Sequence, residues 1–208
     1  MASHDEDAAR IDGQAPRGVG LLIVDMINDL SFDGADDLRP RAERAADVVL
    51  DLRRQADRLK VPVIYVNDNF GQWHSDRGKI VKTSLRDSSP GRAMVRRVAP
   101  RAKDYFVIKP QVSGFYATSL PVLLPKLDVS RIVLTGVAAD ICILFTAADA
   151  HMRAYDLWIP EDAVASEDDR RKRWALDIMQ KSLAAETAAT GALTLKDWMR
   201  RKDRPREG

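Results

Sequence analysis

The chain has 208 residues with nearly balanced charge, 33 Lys and Arg against 31 Asp and Glu, for a formal net +2. This length suits one domain with a full core, and the balance excludes a general attraction to nucleic acid or to an anionic membrane. No apolar run nears the roughly 20 residues that span a bilayer, and a single cysteine excludes an internal disulfide or a thiolate zinc cage.

From the N-terminus, residues 1–16 (MASHDEDAARIDGQAP) are acidic and lack periodicity, so a flexible segment is expected there, unlike a signal peptide's basic start and apolar middle. A cytoplasmic, reducing location follows as the expectation. VGLLIVD (19–25) is the first run with strand character. PRAERAADVVLDLRRQADRL (40–59) then places Ala45, Val48, Val49, Leu52, Ala56 and Leu59 at helical spacing. VPVIYVN (61–67) and YFVIK (105–109) are the next strands, followed by a helix over 120–127 and the strand RIVLTG (131–136). A helix over 141–153, the strand YDLWIP (155–160) and a helix over 171–185 continue the alternation, and a sixth short strand is expected near 192–195. The strand runs are short, rich in Val and Ile, and show little polar alternation, as in strands covered on both faces. Strand–helix–strand repetition predicts a three-layer α/β/α sandwich with a mainly parallel, Rossmann-like sheet of five to six strands. One domain is expected over 17–198, with a charged C-terminal tail over 199–208.

In open parallel sheets, ligands bind outside the carboxyl ends of the strands. The first strand ends in Asp25, the second in Asn67 and Asp68, the third in Lys109, and the fourth in Gly136, six residues before Cys142. An acid, a base and a thiol therefore emerge on one edge. Each has a structural alternative. Asp25 can cap a turn, Lys109 can be a surface lysine held extended by Pro110, and Cys142 can be a packing residue. Taken together they suit nucleophilic catalysis. Asp140 can cap the following helix and put Cys142 in its first turn, where the dipole and the Lys109 ammonium favour thiolate. Asp25 can take the thiol proton and return it to a leaving nitrogen. The tight GVAAD loop offers backbone N–H groups to an oxyanion. Ile141, Leu144 and Phe145 on the same helix are assigned to the core.

Three ordered stretches resemble motifs of the isochorismatase-like cysteine hydrolases, a family that includes nicotinamidases, N-carbamoylsarcosine amidohydrolases and isochorismatases. They are LLIVDMINDL, VIKPQVSGFYATSL and TGVAADICILFTAADAHMRAYDLWIPEDAVAS, and the likeness runs from about Gly20 to Leu195. The resemblance implies Asp25 as general acid/base, Cys142 as nucleophile and Lys109 as electrostatic partner. It also implies a cis bond between Val137 and Ala138, with the N–H groups of Ala138 and Cys142 forming the oxyanion hole. The reaction implied is cleavage of a C–N bond (amide, ureido or lactam-like) in a small molecule through a thioester. A homo-oligomer, a dimer or tetramer, is expected on the same ground.

Departures from the family patterns bear on cofactor and substrate. Nicotinamidases hold a metal through Asp-x-His and a second His after strand two. NDNFGQWHSD aligns Asp68 and His74 with two of those ligands but puts Phe70 where the first histidine belongs. No metal and no other cofactor is therefore expected. The isochorismatase branch cleaves a vinyl ether with Asp and Lys alone, which leaves ether hydrolysis by Asp25 and Lys109 as an alternative. A catalytically silent binding or assembly protein on the same scaffold is the other. Asn28, Asn67, Phe70, Trp73, His74, Phe115 and Tyr116 are the candidate substrate-pocket residues, each with a turn or core alternative. His151 lies nine residues past Cys142 on the same helix, about 13 Å along its axis, and is no evident partner for the thiol.

Overall fold

The computed structural model describes residues 18–201. The segments expected to be loose, 1–16 and most of 199–208, lie outside that span. Six strands form one sheet: β1 (Gly18–Val24), β2 (Val63–Asp68), β3 (Tyr105–Lys109), β4 (Val129–Val137), β5 (Asp156–Trp158) and β6 (Val164–Ala165). The order is β3-β2-β1-β4-β5, with β6 pairing the end of β4, and every pairing is parallel. Both faces are covered. Leu21 and Ile23 of β1 point into one apolar cluster with Ala42, Val49 and Leu52 of helix α1 (Ala35–Leu59). Leu22 and Val24 point into the other, with Leu120 and Leu124 of α4 (Leu120–Lys126) and Ala147 of α5 (Leu144–Met152). The unbroken apolar strands in the sequence are the direct consequence.

The remaining helices are α2 (Arg77–Ser84), α3 (Arg92–Val98), α6 (Asp169–Ser182) and α7 (Leu195–Arg200). No described helix is long and apolar enough to cross a membrane. Three sequence expectations are corrected. Helix α1 begins five residues before Pro40 and carries the proline inside it, in the second turn at an exposed position, where the Asp36 carbonyl that loses an N–H partner is on an exposed residue. The sixth strand is Val164–Ala165, too short for periodicity to reveal. The stretch 192–195 is instead a turn into α7, which Thr194 caps by accepting the Asp197 N–H at 3.1 Å. Phe145 is 52% exposed rather than core. Residues Ala139–Ile143 form a π-helical turn ahead of α5, and its wider winding brings Ile143, Thr146, Ala147 and Ala150 inward and turns Phe145 out.

Candidate active site

The carboxyl ends of β1, β3 and β4 deliver three polar side chains to one buried point. Asp25 follows β1 in a left-handed conformation, φ 53°, which Asp tolerates better than most residues. Its backbone N–H still pairs with the Val66 carbonyl at 3.0 Å, so the residue is held by the sheet. Lys109 is the last residue of β3, in register with Asp68 of β2. Cys142 lies in the π-turn that β4 feeds through Ala138, and the peptide bond between Val137 and Ala138 is cis. Gly136 makes this exit from β4 possible. Its φ is +118°, and a Cβ there would sit 2.0 Å from the Val24 carbonyl oxygen.

Lys109 Nζ is the centre of the cluster. It donates to Asp25 Oδ2 at 2.9 Å, to Asp68 Oδ2 at 3.1 Å and to Cys142 Sγ at 3.5 Å. The lysine is fully buried and Asp25 nearly so, while Cys142 is half-buried. Burial raises the Asp25 pKa, with Lys109, Cys142 and the Asp68 N–H pulling only partly the other way. For Lys109, burial works against the ammonium, but Asp25, Cys142 and Asp68 outweigh it and the pKa stands above its ordinary value. Burial and then the Asp25 carboxylate push the Cys142 thiol up to about 12, against the partial help of Lys109. The pull of the Lys109 ammonium toward thiolate, expected from the sequence, is thus outweighed. Burial thus favours the thiol form of Cys142 and raises the basicity of the carboxylate beside it.

Asp140 differs from expectation as well. It makes no capping bond; its carboxylate pairs with Arg171 of α6 at 2.6 Å and ties the π-turn to that helix.

The candidate pocket residues separate into three groups. Asn28 and Phe70 line a cleft of about 270 Å3, together with Phe32, Asn69, Gln72 and Lys79, and none of Asp25, Lys109 and Cys142 is in its lining. Trp73, His74 and Tyr116 are exposed and outside that lining. Asn67 and Phe115 are scaffold rather than pocket. Asn67 is fully buried and bonds both the N–H and the carbonyl of Ile27 at 3.1 Å, which fixes the loop after β1. Phe115 packs in the core against Tyr155, with Arg153 over its ring. A larger hollow of about 450 Å3 lies at the amino ends of β2 and β3, lined by Val63, Tyr105 and Leu127. It is at the opposite edge of the sheet from Cys142.

The nicotinamidase metal pattern does not assemble from these residues. The Asp68 carboxylate is engaged by Lys109 and by the Phe70 N–H at 2.7 Å, Phe70 offers a phenyl ring, and His74 is exposed. Among the described residues no three His, Cys, Asp or Glu side chains gather to hold a metal ion. Asp68, aligned by its sequence with a metal ligand, instead joins the cluster through Lys109 at 3.1 Å. Its place at the end of a strand, next to the strand that carries Lys109, was the available signal.

The fold is thus a parallel α/β sheet with a buried acid and lysine and a half-buried thiol at its carboxyl edge. Residues 19–190 match the model of the isochorismatase domain. An uncharacterised isochorismatase family protein of Bacillus subtilis is 42% identical over 166 residues, which cover 80% of this chain and 91% of the relative. Maleamate amidohydrolase of Pseudomonas putida is 26% identical over 154 residues, covering 71% of this chain and 72% of the relative. The crystal structure of N-carbamoylsarcosine amidase from Thermoplasma acidophilum superposes with a TM-score of 0.65 at 28% identity, over 85% of this chain and 99% of that one. The chain belongs to the isochorismatase family and is a hydrolase.

Proposed function

We propose that the protein is a cysteine hydrolase that cleaves a C–N bond, amide or ureido, in a small molecule. The observation that carries this reading is the buried Lys109 ammonium within bonding distance of both Asp25, at 2.9 Å, and Cys142, at 3.5 Å. Two relatives named as an amidohydrolase and an amidase support the bond type.

Asp25 takes the Cys142 proton as Sγ attacks the substrate carbonyl carbon, so the thiolate exists only as the new bond forms. A thiol held near 12 requires this coupling, and a carboxylate with a raised pKa is a better base for it. Lys109 remains charged throughout and offsets the negative charge moving between sulfur and carboxylate. The N–H groups of Ala138 and Cys142 receive the oxyanion. Collapse of the tetrahedral species returns the proton from Asp25 to the leaving nitrogen and leaves a thioester. Water, deprotonated by Asp25, then attacks the thioester and releases the acid, and the proton returns to sulfur.

A screen of small amides and ureido compounds for ammonia release, with Cys142→Ala as control, tests the reading. Ammonia release that survives undiminished in Cys142→Ala would reject Cys142 as nucleophile, and cleavage of a vinyl ether that survives in Cys142→Ala but is abolished in Asp25→Asn would favour ether-type chemistry instead. The same reading takes the enzyme as a homo-oligomer, supported by the exposed Phe145, Trp174 and Ile178 on α5 and α6. Sedimentation equilibrium showing only a monomer at micromolar concentration would reject that part.

A further inference from the structure

We propose that Asp68 is a positioning residue for Cys142 chemistry: its carboxylate takes one of the three Lys109 N–H donors, fixing the ammonium between sulfur and Asp25 while restraining how far it acidifies the thiol. The inference rests on the cysteine-hydrolase reading and adds a fourth member to its machinery.

An ammonium has three donors and no acceptor. Here all three are accounted for, by Asp25 at 2.9 Å, Asp68 at 3.1 Å and Cys142 at 3.5 Å. A lysine on a flexible four-carbon stem gains a defined place only when its donors are saturated by fixed acceptors. Asp68 is such an acceptor. Its second oxygen receives the Phe70 N–H at 2.7 Å, which locks the carboxylate in a local turn. Its own N–H donates to Asp25 Oδ1 at 2.7 Å, so the residue holds both members of the pair it bridges. The side chain is 31% exposed where Lys109 is fully buried, which makes Asp68 the solvated end of the cluster. It does not reach the sulfur and is not a reacting group.

The charge count gives the chemical consequence. Two carboxylates share one ammonium, and a thiol makes the third contact. Asp25 and Lys109 are the charged groups that act on Cys142, and Asp25, Cys142 and Asp68 are those that act on Lys109. Removing the Asp68 charge leaves the ammonium to Asp25 and sulfur alone. Thiolate then becomes easier to form, while Asp25 becomes a weaker base. Reactivity toward a simple electrophile and turnover of substrate therefore move in opposite directions. A residue with only a structural part would lower both.

Cys142 is the single cysteine, so alkylation of the full chain by iodoacetamide, followed by intact mass, reads the site without any substrate. The Asp68→Asn variant should alkylate about tenfold faster at pH 7.5, with the pH midpoint about one unit lower. Turnover of the best compound from the ammonia screen should fall about tenfold, with its acid limb moved to lower pH. Asp68→Glu, which keeps the charge, should leave the alkylation midpoint in place. Asp68→Ser, whose hydroxyl can still receive the Phe70 N–H, carries the same prediction as Asn and replaces it if that variant does not fold. Alkylation that is unchanged or slower in the uncharged variants overturns the proposal, as does an equal shift in Asp68→Glu. Undiminished turnover in Cys142→Ala would defeat the cysteine-hydrolase reading instead, and it leaves the alkylation result to be judged separately.

Discussion

Replacing Lys109 with Met removes the cation paired with Asp25 at a point where Asp25 is 7% exposed in its side chain and the lysine itself 0%. Breaking a buried ion pair by deleting one partner costs about 3–5 kcal/mol, because the remaining charge stays buried and uncompensated. For a chain of this size that is a fall in Tm of roughly 6–20 °C. Asp25→Asn should cost less, since Lys109 keeps Asp68 at 3.1 Å. The double variant should recover at least about 1.5 kcal/mol relative to the sum of the singles, because neither charge is then stranded. The pH dependence has a defined sign. Without Lys109, the folded-state pKa of Asp25 rises further above its ordinary value of 3.8, so the native state holds a proton that the unfolded chain has released. The Lys109→Met deficit is therefore largest at neutral and alkaline pH and shrinks as pH falls toward 3.8. Urea unfolding of the four proteins at pH 5 and pH 8 measures all of this. Additivity within about 0.5 kcal/mol, with a deficit independent of pH, would refute the coupling of Asp25 to Lys109.

The pH profile of kcat/KM should show an acid limb set by Asp25, above the ordinary carboxylate value, and no alkaline limb up to about pH 9. A narrow bell with an alkaline limb near pH 8 would mean that a group other than Cys142 or Lys109 titrates. Asn67→Ala should lower stability by about 2–4 kcal/mol in urea unfolding, since it leaves the Ile27 N–H and carbonyl without partners inside the loop that carries Asp25. Gly136→Ala should abolish soluble expression, because its Cβ meets the Val24 carbonyl oxygen at 2.0 Å and its φ of +118° excludes an alanine. A soluble alanine variant with wild-type Tm would show that β4 leaves the sheet by another path.

The sheet was legible because its strands are buried on both faces. VGLLIVD and YFVIK carry apolar residues on consecutive positions, and the structure needs them there to fill a separate core cluster on each side. The two-residue β6 and the short helices α2 and α3 were not legible. RGKIVKTS buries only Ile80 and Ser84, which is too little apolar pattern to register. At the candidate site, Asp25, Lys109 and Cys142 could be placed on one edge from strand order alone. Which way side chains point within that edge could not. The amide of Asn67 turns inward to Ile27, the ring of Phe115 packs on Tyr155, and Asp68 reaches Lys109, all through contacts between residues about 40 positions apart. The thiol's raised pKa is of the same kind: a helix terminus predicts acidity, while burial beside a carboxylate outweighs it.

The central claim is that Cys142 becomes acylated during turnover. Acid quenching of the wild-type enzyme with a turned-over amide, followed by intact mass and peptide mapping, measures it directly. The account predicts an acyl adduct on the peptide containing Cys142, discharged by hydroxylamine and absent from Cys142→Ala, which is also inactive. Wild-type turnover by Cys142→Ala, with no adduct on sulfur in the native enzyme, would contradict it.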